Sequence, residues 1–384
     1  MTSFVVGAFE HPTRLARDKS TAMLHAEVAA GALADAGLNL SDIDGYFCAG
    51  DAPGVGPLSM VEYLGINPHF VDSSEIGGSS PIVHLQKAAL AIDAGLCNVA
   101  LITQAGRPRA EGDLPESAVR NANVPENGFE LPYGLFLAAS YALATKRHMY
   151  EYGTTSEQLA WIKVAISQHA QHNSNARLQT PVTLEEVLAS PMIADPLHRL
   201  DCCVITDGGG AVIVAREEVA RSLRRPLVKI KGADHAIGYQ RGFDVDVTRT
   251  AGIASGRGAY HQAGLIPSDI QYLSTYDSFT ATVLFAIEDL GFCEKGEGGR
   301  FVEHAGLLSG IGRLPVNTDG GGLCNNHPAH RGGITKVIET VRQLRGEAHP
   351  AVQVPNCTLA MSHGMGGVLG QRHGCATAIM ERLS

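Results

Sequence analysis

An internal repeat constrains the fold of this chain more than any other feature of its sequence. Eight residues recur at one constant offset of 227 positions within the 384-residue chain. Ala-Gly-Leu alone is a common helix end, but a shared offset at all eight positions predicts two similar halves of one α/β unit. The matching segments are Gly31-Ala32, Ala36-Gly37-Leu38 and Ser41-Asp42-Ile43 in the first half, and Gly258-Ala259, Ala263-Gly264-Leu265 and Ser268-Asp269-Ile270 in the second.

Helical and strand patterns alternate along the first half. Apolar residues at helical spacing run from Ser20 to Gly37 and again from Pro81 to Gly95. Short apolar segments typical of buried strands follow at Asp44–Cys48 and Val99–Thr103. This alternation predicts an α/β layered fold, in which each helix buries one face against a sheet.

Two segments interrupt the alternation. Residues 106–156 are rich in Pro, Gly and Asn, and we interpret residues 106–200 as a loop region inserted into the first half. The charged segment Arg221–Pro226 predicts a domain boundary. We therefore expect an N-terminal half at 1–225, which includes the loop region, and a C-terminal half at 226–384.

Composition excludes several classes of protein. The net charge of −9, from 30 basic and 39 acidic residues, argues against nucleic acid binding, because phosphates need an excess of basic side chains. The chain start lacks the pattern of a secretory signal, and no apolar stretch reaches the roughly 20 residues of a membrane span. Eight cysteines without a CxxC pair predict reduced thiols in a cytoplasm and no metal site.

Motifs in the C-terminal half resemble those of the thiolase superfamily. One stretch resembles its asparagine–double-glycine to Gly-His-Pro segment, and another lies where thiolases carry Asn-Glu-Ala-Phe or His-Asp-Cys-Phe. Two further segments resemble the sterol-carrier and lipid-transfer-protein branch of the superfamily. The first stretch is Pro315–Gly322 with His327-Pro328 and Gly332-Gly333, and the second is Tyr276–Thr280. The two segments that resemble the sterol-carrier and lipid-transfer-protein branch are Gln343–Glu347 and Gln353–Pro355.

The resemblance covers the chain from Ala26 to the C-terminus and implies the thiolase fold. In that fold, two similar βαβαβαββ halves pack as a five-layered αβαβα core, here with an inserted loop region. Thiolases make or cleave a carbon–carbon bond next to a coenzyme A thioester. Their usual machinery is a nucleophilic cysteine at a helix start, an activating histidine, a second cysteine as acid and base, and donors for the enolate oxygen. A helix N-terminus stabilises a thiolate, and placed donors stabilise a developing enolate.

The usual catalytic cysteines have no counterpart in the aligned segments. The nucleophile position falls on Gly78, followed by Ser79, and the segment of the second cysteine contains His363 instead. Tyr276 replaces the oxyanion residue, and only His327 is retained. Because a serine hydroxyl ionises far less than a thiol at neutral pH, we expect thiolysis by the ordinary covalent route to be poor.

The remaining residue types suit retro-aldol cleavage of a β-hydroxyacyl-CoA. That reaction needs a base for the β-hydroxyl proton and donors for the thioester enolate, but no acyl-enzyme. Tyr276 and His327 are the main candidates, and His363, Ser79 and Cys324 are further candidates. Non-thiolytic relatives in the lipid-transfer branch cleave steroid side chains in this way, so the resemblance implies a bulky substrate from steroid or aromatic degradation. Two alternatives stay open: a thiolytic or condensing acyltransferase with an unaligned nucleophile, and a non-catalytic scaffold subunit.

Glycines near these motifs are predicted to lie beside the coenzyme A thioester, because glycine permits positive φ and close ligand approach. They are Gly78, Gly320, Gly321, Gly366 and Gly367. We expect no tightly bound cofactor, since coenzyme A arrives as the substrate thioester. The resemblance also implies a homodimer, or a heterotetramer with a small protein that carries an OB-fold and a zinc ribbon.

Overall fold

A computed structural model describes residues 1–50, 52–112, 132, 136–238, 246–369 and 371–383; residues 113–131 and 133–135 of the predicted loop region lie outside the described residues. The strands are β1 Ser3–Glu10, β2 Gly45–Cys48, β3 Phe70–Ser73, β4 Val99–Gly106, β5 Met192–Ala194, β6 Leu197–His198, β7 Gly208–Arg216, β8 Leu227–Gly238, β9 Tyr272–Thr275, β10 Leu359–Val368 and β11 Gln371–Leu383. The helices are α1 Thr21–Ala36, α2 Pro57–Leu64, α3 Ser80–Asp93, α4 Pro108–Glu111, α5 Leu137–Tyr152, α6 Ser156–Ala170, α7 Leu184–Leu188, α8 Glu217–Ser222, α9 Gly252–Ala263, α10 Thr280–Asp289, α11 Gly298–Val302 and α12 Gly333–Arg345.

The sheet repeats one strand order in two blocks. Among the described residues, nine strands follow the order β3-β2-β4-β7-β1-β8-β11-β10-β9, and β5 and β6 form a separate pair. The block β2-β4-β7-β1 has the same order and pairing directions as β9-β10-β11-β8. Strands β1 and β8 join the blocks, with Phe4 opposite Lys229 and Val5 opposite Val228.

The 227-residue offset of the sequence repeat is also the offset between β2 and β9, at residues 45–48 and 272–275. The repeated Ala-Gly-Leu forms the same helix end in both halves. Gly37 closes α1 with φ of 74° and Gly264 closes α9 with φ of 68°, a left-handed conformation that favours glycine. The boundary that we propose after residue 225 falls between α8 and β8.

The burial of the helices and their contacts with the strands show that the fold has five layers. Helices α3 and α12 are buried along almost their whole length and contact strands of both blocks, so they form the central layer. Helix α1 packs on the outer face of the first block, and α9 packs on the outer face of the second. The fold is therefore the predicted thiolase fold, an αβαβα arrangement. No helix in the described ranges is long and apolar enough to span a bilayer.

Candidate active site

The N-terminus of α3, where thiolases carry the nucleophile, packs against the glycine-rich end of β10. A Cβ atom added to Gly77 would lie 2.8 Å from the Cα atom of Gly366. A Cβ atom added to Gly366 would lie 2.0 Å from the carbonyl oxygen of Ile76. Glycine is thus required at both positions, because the two main chains approach too closely for side chains.

Tyr276 follows β9 directly, and its ring covers Gly78. The main-chain N–H of Tyr276 donates to the carbonyl of His363 at 2.9 Å, and the phenol donates to the carbonyl of Ala329 at 3.1 Å. A Cβ atom at Gly78 would lie 2.4 Å from two atoms of the Tyr276 ring. The tyrosine ring therefore occupies the space that a side chain at position 78, the predicted nucleophile position, would need.

His327 packs against the same tyrosine. The ring centroids of Tyr276 and His327 are 5.2 Å apart, with 56° between the ring planes. The main-chain N–H of His327 donates to the hydroxyl of Thr206 at 2.8 Å. Nε2 of His327 is buried and has no hydrogen-bond partner within the described part of the chain. An imidazole nitrogen without a partner can accept or donate a proton, and a role of His327 toward a substrate stays a prediction.

Both rings are neutral near neutral pH. Burial lowers the pKa of His327 to about 4; Asp277 opposes this shift, and Lys336 contributes to it. Burial raises the pKa of Tyr276 well above its usual range, and the nearby thiol of Cys203 adds to that effect. The pair consequently offers an imidazole that can accept a proton and a phenol that can donate a hydrogen bond.

Asp277 connects the segment of Tyr276 to the turn before His327. Sequence reasoning missed this residue although it singled out the segment. Its carboxylate is fully buried and accepts from Lys336 Nζ at 2.9 Å, from Gly322 N at 2.7 Å and from Leu323 N at 3.1 Å. A Cβ atom at Gly321 would lie 2.1 Å from Asp277 Oδ2. The glycine turn before His327 is thus wrapped around the residue that follows Tyr276.

Arg331 was also missed, although it lies four residues after His327. Its guanidinium donates to Gln104 Oε1 at 3.3 Å and to Glu75 Oε2 at 2.8 Å. The Arg331 side chain is buried, whereas that of Glu75 is 38% exposed. The arginine therefore connects the His-Pro segment to the first half through a carboxylate that is partly exposed to solvent. Nothing in the local sequence around Glu75 indicates this contact.

Two other predicted residues lie away from the two rings, although Nε2 of His363 is also buried without a hydrogen-bond partner among the described residues. The hydroxyl of Ser79 donates to the carbonyl of Ile76 at 2.5 Å. Nδ1 of His363 pairs with Thr377 Oγ1 at 3.0 Å, and its ring lies beside Gly252. Burial lowers the pKa of His363 to about 3, so this imidazole is neutral. Within the described contacts, neither side chain touches the ring of Tyr276 or His327.

Two thiols lie near the motif segments. Cys324 is buried in a π-helical turn, Gly321–Asn325, where its sulfur interacts with Lys163, and burial raises its pKa. The main-chain N–H of Cys203 donates to the carbonyl of Ser278 at 2.9 Å, beside Tyr276. Burial also raises the pKa of the Cys203 thiol far above its usual range. Both sulfurs are therefore neutral thiols rather than thiolates.

The five glycines predicted to lie near the thioester are packed against protein atoms. Gly320 has φ of 96°, and a Cβ atom there would lie 2.7 Å from the Cβ atom of Ala170. Gly367 has φ of 80°, and its added Cβ atom would collide with the carbonyl oxygen of Arg372. Gly78, Gly321 and Gly366 are equally crowded, as described above. Each glycine is required by the fold itself, and a role toward coenzyme A stays a prediction.

Comparison with known proteins agrees with this architecture. Residues 231–382 match the family model described as thiolase C-terminal domain-like. An acetyl-CoA acetyltransferase of Methanothermobacter thermautotrophicus is 35% identical over 90% of this chain and 91% of its own length. A steroid side-chain-cleaving aldolase of Thermomonospora curvata is 35% identical over 89% of both chains. The solved Ltp2-ChsH2(DUF35) aldolase superposes with a TM-score of 0.87 at 31% identity, over 99% of this chain and 98% of that one. The chain belongs to the thiolase superfamily and is an enzyme of that superfamily.

Proposed function

We propose that this enzyme cleaves a bulky β-hydroxyacyl-CoA by a non-thiolytic retro-aldol reaction. The observation that carries the proposal is the ring of Tyr276, which fills the side-chain space at Gly78 beside the unpartnered Nε2 of His327. A covalent acyl-enzyme has no room at that position. The relatives named as aldolases support the same reaction class and a steroid-like acyl group.

In the proposed reaction, Nε2 of His327 takes the proton of the β-hydroxyl group. The Cα–Cβ bond then breaks, its electron pair moves into the thioester as an enolate, and the β-carbon becomes a ketone or aldehyde. The phenol of Tyr276 turns from the Ala329 carbonyl to donate to the enolate oxygen, where the charge develops. His327 returns its proton to Cα, which yields a shortened acyl-CoA without a second substrate.

Acyl transfer is the second candidate, because one thiol lies close to the site. Cys203 is near enough to Tyr276 for its thiol to raise the tyrosine pKa, and one relative is named an acetyl-CoA acetyltransferase. The raised pKa of Cys203 opposes this role, since the thiolate is the nucleophile. A non-catalytic scaffold is the third alternative, and both the relatives named as enzymes and the retained His327 count against it.

The deciding experiment incubates the enzyme with a synthetic β-hydroxyacyl-CoA that carries a tertiary hydroxyl on a bulky ring, without free coenzyme A. Release of a ketone and a shortened acyl-CoA in equal amounts supports the aldolase. Turnover of the matching β-ketoacyl-CoA only when free coenzyme A is present, with an acyl group on Cys203 by mass spectrometry, would establish the acyltransferase instead. Binding without turnover, with the partner protein also present, would indicate the scaffold.

We also infer that the enzyme works in the cytoplasm, needs no tightly bound cofactor, and acts as an oligomer. Strand β3 is an edge of the sheet, and Val71 on it is 40% exposed. Val55, Leu58 and Tyr63 beside or within α2 are also exposed, which supports a homodimer through this edge. The two-component name of the solved aldolase supports a second protein, for which we propose the small OB-fold and zinc-ribbon type. Light scattering of the protein alone, and of Val71→Asp, tests the homodimer.

A further inference from the structure

The ion pair between Asp277 and Lys336 is fully enclosed. Nζ of Lys336, in the first turns of α12, lies 2.9 Å from Oδ1 of Asp277, and the side chains are 1% and 0% exposed. Burial of two charges costs more free energy than their attraction returns unless further hydrogen bonds satisfy the pair, so such pairs are weak evidence for stability alone. Here Gly322 N and Leu323 N also donate to Asp277, so the pair is satisfied, but its presence alone does not explain why two charges lie at this place.

The geometry around Asp277 couples the two candidate catalytic segments. Asp277 follows Tyr276 in the chain, so a shift of its carboxylate displaces the tyrosine backbone. The same carboxylate holds the main-chain N–H groups of Gly322 and Leu323. A Cβ atom at Gly322 would lie 3.0 Å from Cδ2 of His327, which places the held turn directly against the imidazole.

The pair also dominates the charges that face His327. Asp277 approaches from the end of β9, Lys336 approaches from α12, and His330 lies on the same segment as His327. Tyr276 contributes a neutral ring, and Thr206 contributes a hydroxyl to the main chain. Asp277 favours the protonated imidazole more strongly than Lys336 or His330 disfavours it.

Lys336 stays charged in this enclosure. Burial works to lower its pKa, but Asp277, Asp319 and Glu10 outweigh that effect and raise the pKa above its usual range. A fixed positive charge and a fixed negative charge thus both act on one neutral imidazole, with opposite signs.

We propose that Asp277 and Lys336 are positioning residues that hold Tyr276 and His327 in one reactive arrangement and set the electric field at the imidazole. This inference deepens the proposed function and rests on it for the role of His327. The support for this role is the position of the pair, since the Asp277 carboxylate lies next to Tyr276 in the chain and holds the turn that packs against His327.

The test compares Asp277→Asn, Lys336→Met and the double variant by a readout that does not need activity. Histidine labelled with carbon-13 at Cε1 gives one resonance per imidazole, and His327→Asn identifies the resonance of His327. We expect Asp277→Asn to lower the pKa of His327 and Lys336→Met to raise it, each by about one unit, the low end for a close charge. Arg345→Met, which removes another buried cation that pairs with Asp35, is the control and leaves this pKa unchanged.

The double variant keeps the proposal testable if a single variant fails to fold, because one lone buried charge is strongly destabilising. We expect its His327 pKa to lie below that of the wild type, since Asp277 acts more strongly than Lys336. Shifts of the same sign in both single variants, or no shift in the double variant, would overturn the inference. If the two single variants shift the pKa of His327 in opposite directions but the wild-type enzyme shows no lyase activity, the positioning role of the pair holds and only the proposed function is refuted.

Discussion

The ring of Tyr276 and a side chain at position 78 exclude each other. A Cβ atom on Gly78 would lie 2.4 Å from Cε2 and Cζ of that ring, and 2.5 Å from the carbonyl oxygen of Met365. The glycine at the predicted nucleophile position and the tyrosine at the predicted oxyanion position are therefore coupled by packing. A cysteine side chain would fit at position 78 only if the tyrosine ring moved.

Gly78→Ala is expected to abolish most lyase activity, by at least about 100-fold, because the ring of Tyr276 must shift by an ångström or more. Extra atoms in a packed interior also cost about 1–3 kcal/mol of stability. Gly50→Ala is the matched control, because its added Cβ atom meets only Glu75 at 3.8 Å. Steady-state kinetics and urea unfolding measure both effects, and full activity in Gly78→Ala would contradict the placement of the ring.

Tyr276→Phe removes the proposed enolate donor and keeps the ring over Gly78. We expect kcat to fall by about 100- to 1,000-fold, which is typical for loss of one oxyanion donor. Thermal stability changes little, because the carbonyl partner of the phenol belongs to the exposed Ala329. Tyr150→Phe, on the surface of α5 with 83% exposure, is the control. Equal activity of both variants would remove Tyr276 from the mechanism.

His327→Gln tests the proposed base. We expect a loss of about 100- to 10,000-fold in kcat, the usual range for general base catalysis. The wild-type profile of kcat/KM falls only as the pH approaches about 4, since burial lowers the pKa of His327 to that value and only the neutral imidazole accepts a proton. The variant loses this acid limb. His172→Gln, whose ring stacks on His349, is the control.

Iodoacetamide is expected to leave the lyase active near neutral pH, because burial keeps seven of the eight thiols un-ionised there. Treatment followed by activity assay and mass spectrometry checks this, with a cysteine-dependent thiolase as the positive control. Inactivation that follows alkylation of Cys203, and is absent in Cys203→Ala, would favour acyl transfer. Burial raises the pKa of Cys97, Cys202, Cys293 and Cys357 to about 12, and it holds those of Cys203, Cys324 and Cys375 above their usual range.

Buried histidines make the fold less stable in mild acid. Burial lowers the pKa of His84 and His363 to about 3, and those of His169 and His373 to about 4. Below about pH 6.5 the unfolded chain binds protons that the folded chain does not, so the free energy of unfolding falls as the pH falls.

Each such histidine contributes up to about 1.4 kcal/mol per pH unit between its unfolded and folded pKa values. Urea unfolding at about pH 7 and pH 5 measures the total, in a range above most carboxylate titrations. His363→Gln is expected to flatten the dependence, whereas the exposed Tyr150→Phe, which removes no imidazole, leaves it unchanged. A free energy of unfolding that rises toward acid would contradict the burial of these rings.

Local sequence was enough for the four helices and strands predicted in the first half and for the repeated architecture. The helix cap at Ser20, the left-handed end at Gly37 and its repeat at Gly264 depend on residues within a few positions of one another. The equal offset of 227 residues then predicted two equivalent blocks, which the strand order confirms. Strand β4 extends beyond the predicted end at Thr103 to Gly106, because its last residues pair with β7. Pairing with a neighbouring strand, and not the local sequence, sets this strand end.

The arrangement inside the site was decided by tertiary structure. Sequence reasoning selected Gly78, Tyr276 and His327 from their motifs, but these residues come from segments about 50 to 250 positions apart. Their contacts arise only where the start of α3 meets the ends of β9 and β10 between the two blocks. The enclosure of Asp277 by a glycine turn and by Lys336 arises in the same way. Periodicity and local propensity act along the chain, whereas burial, charge pairing and shared space depend on how the two halves pack.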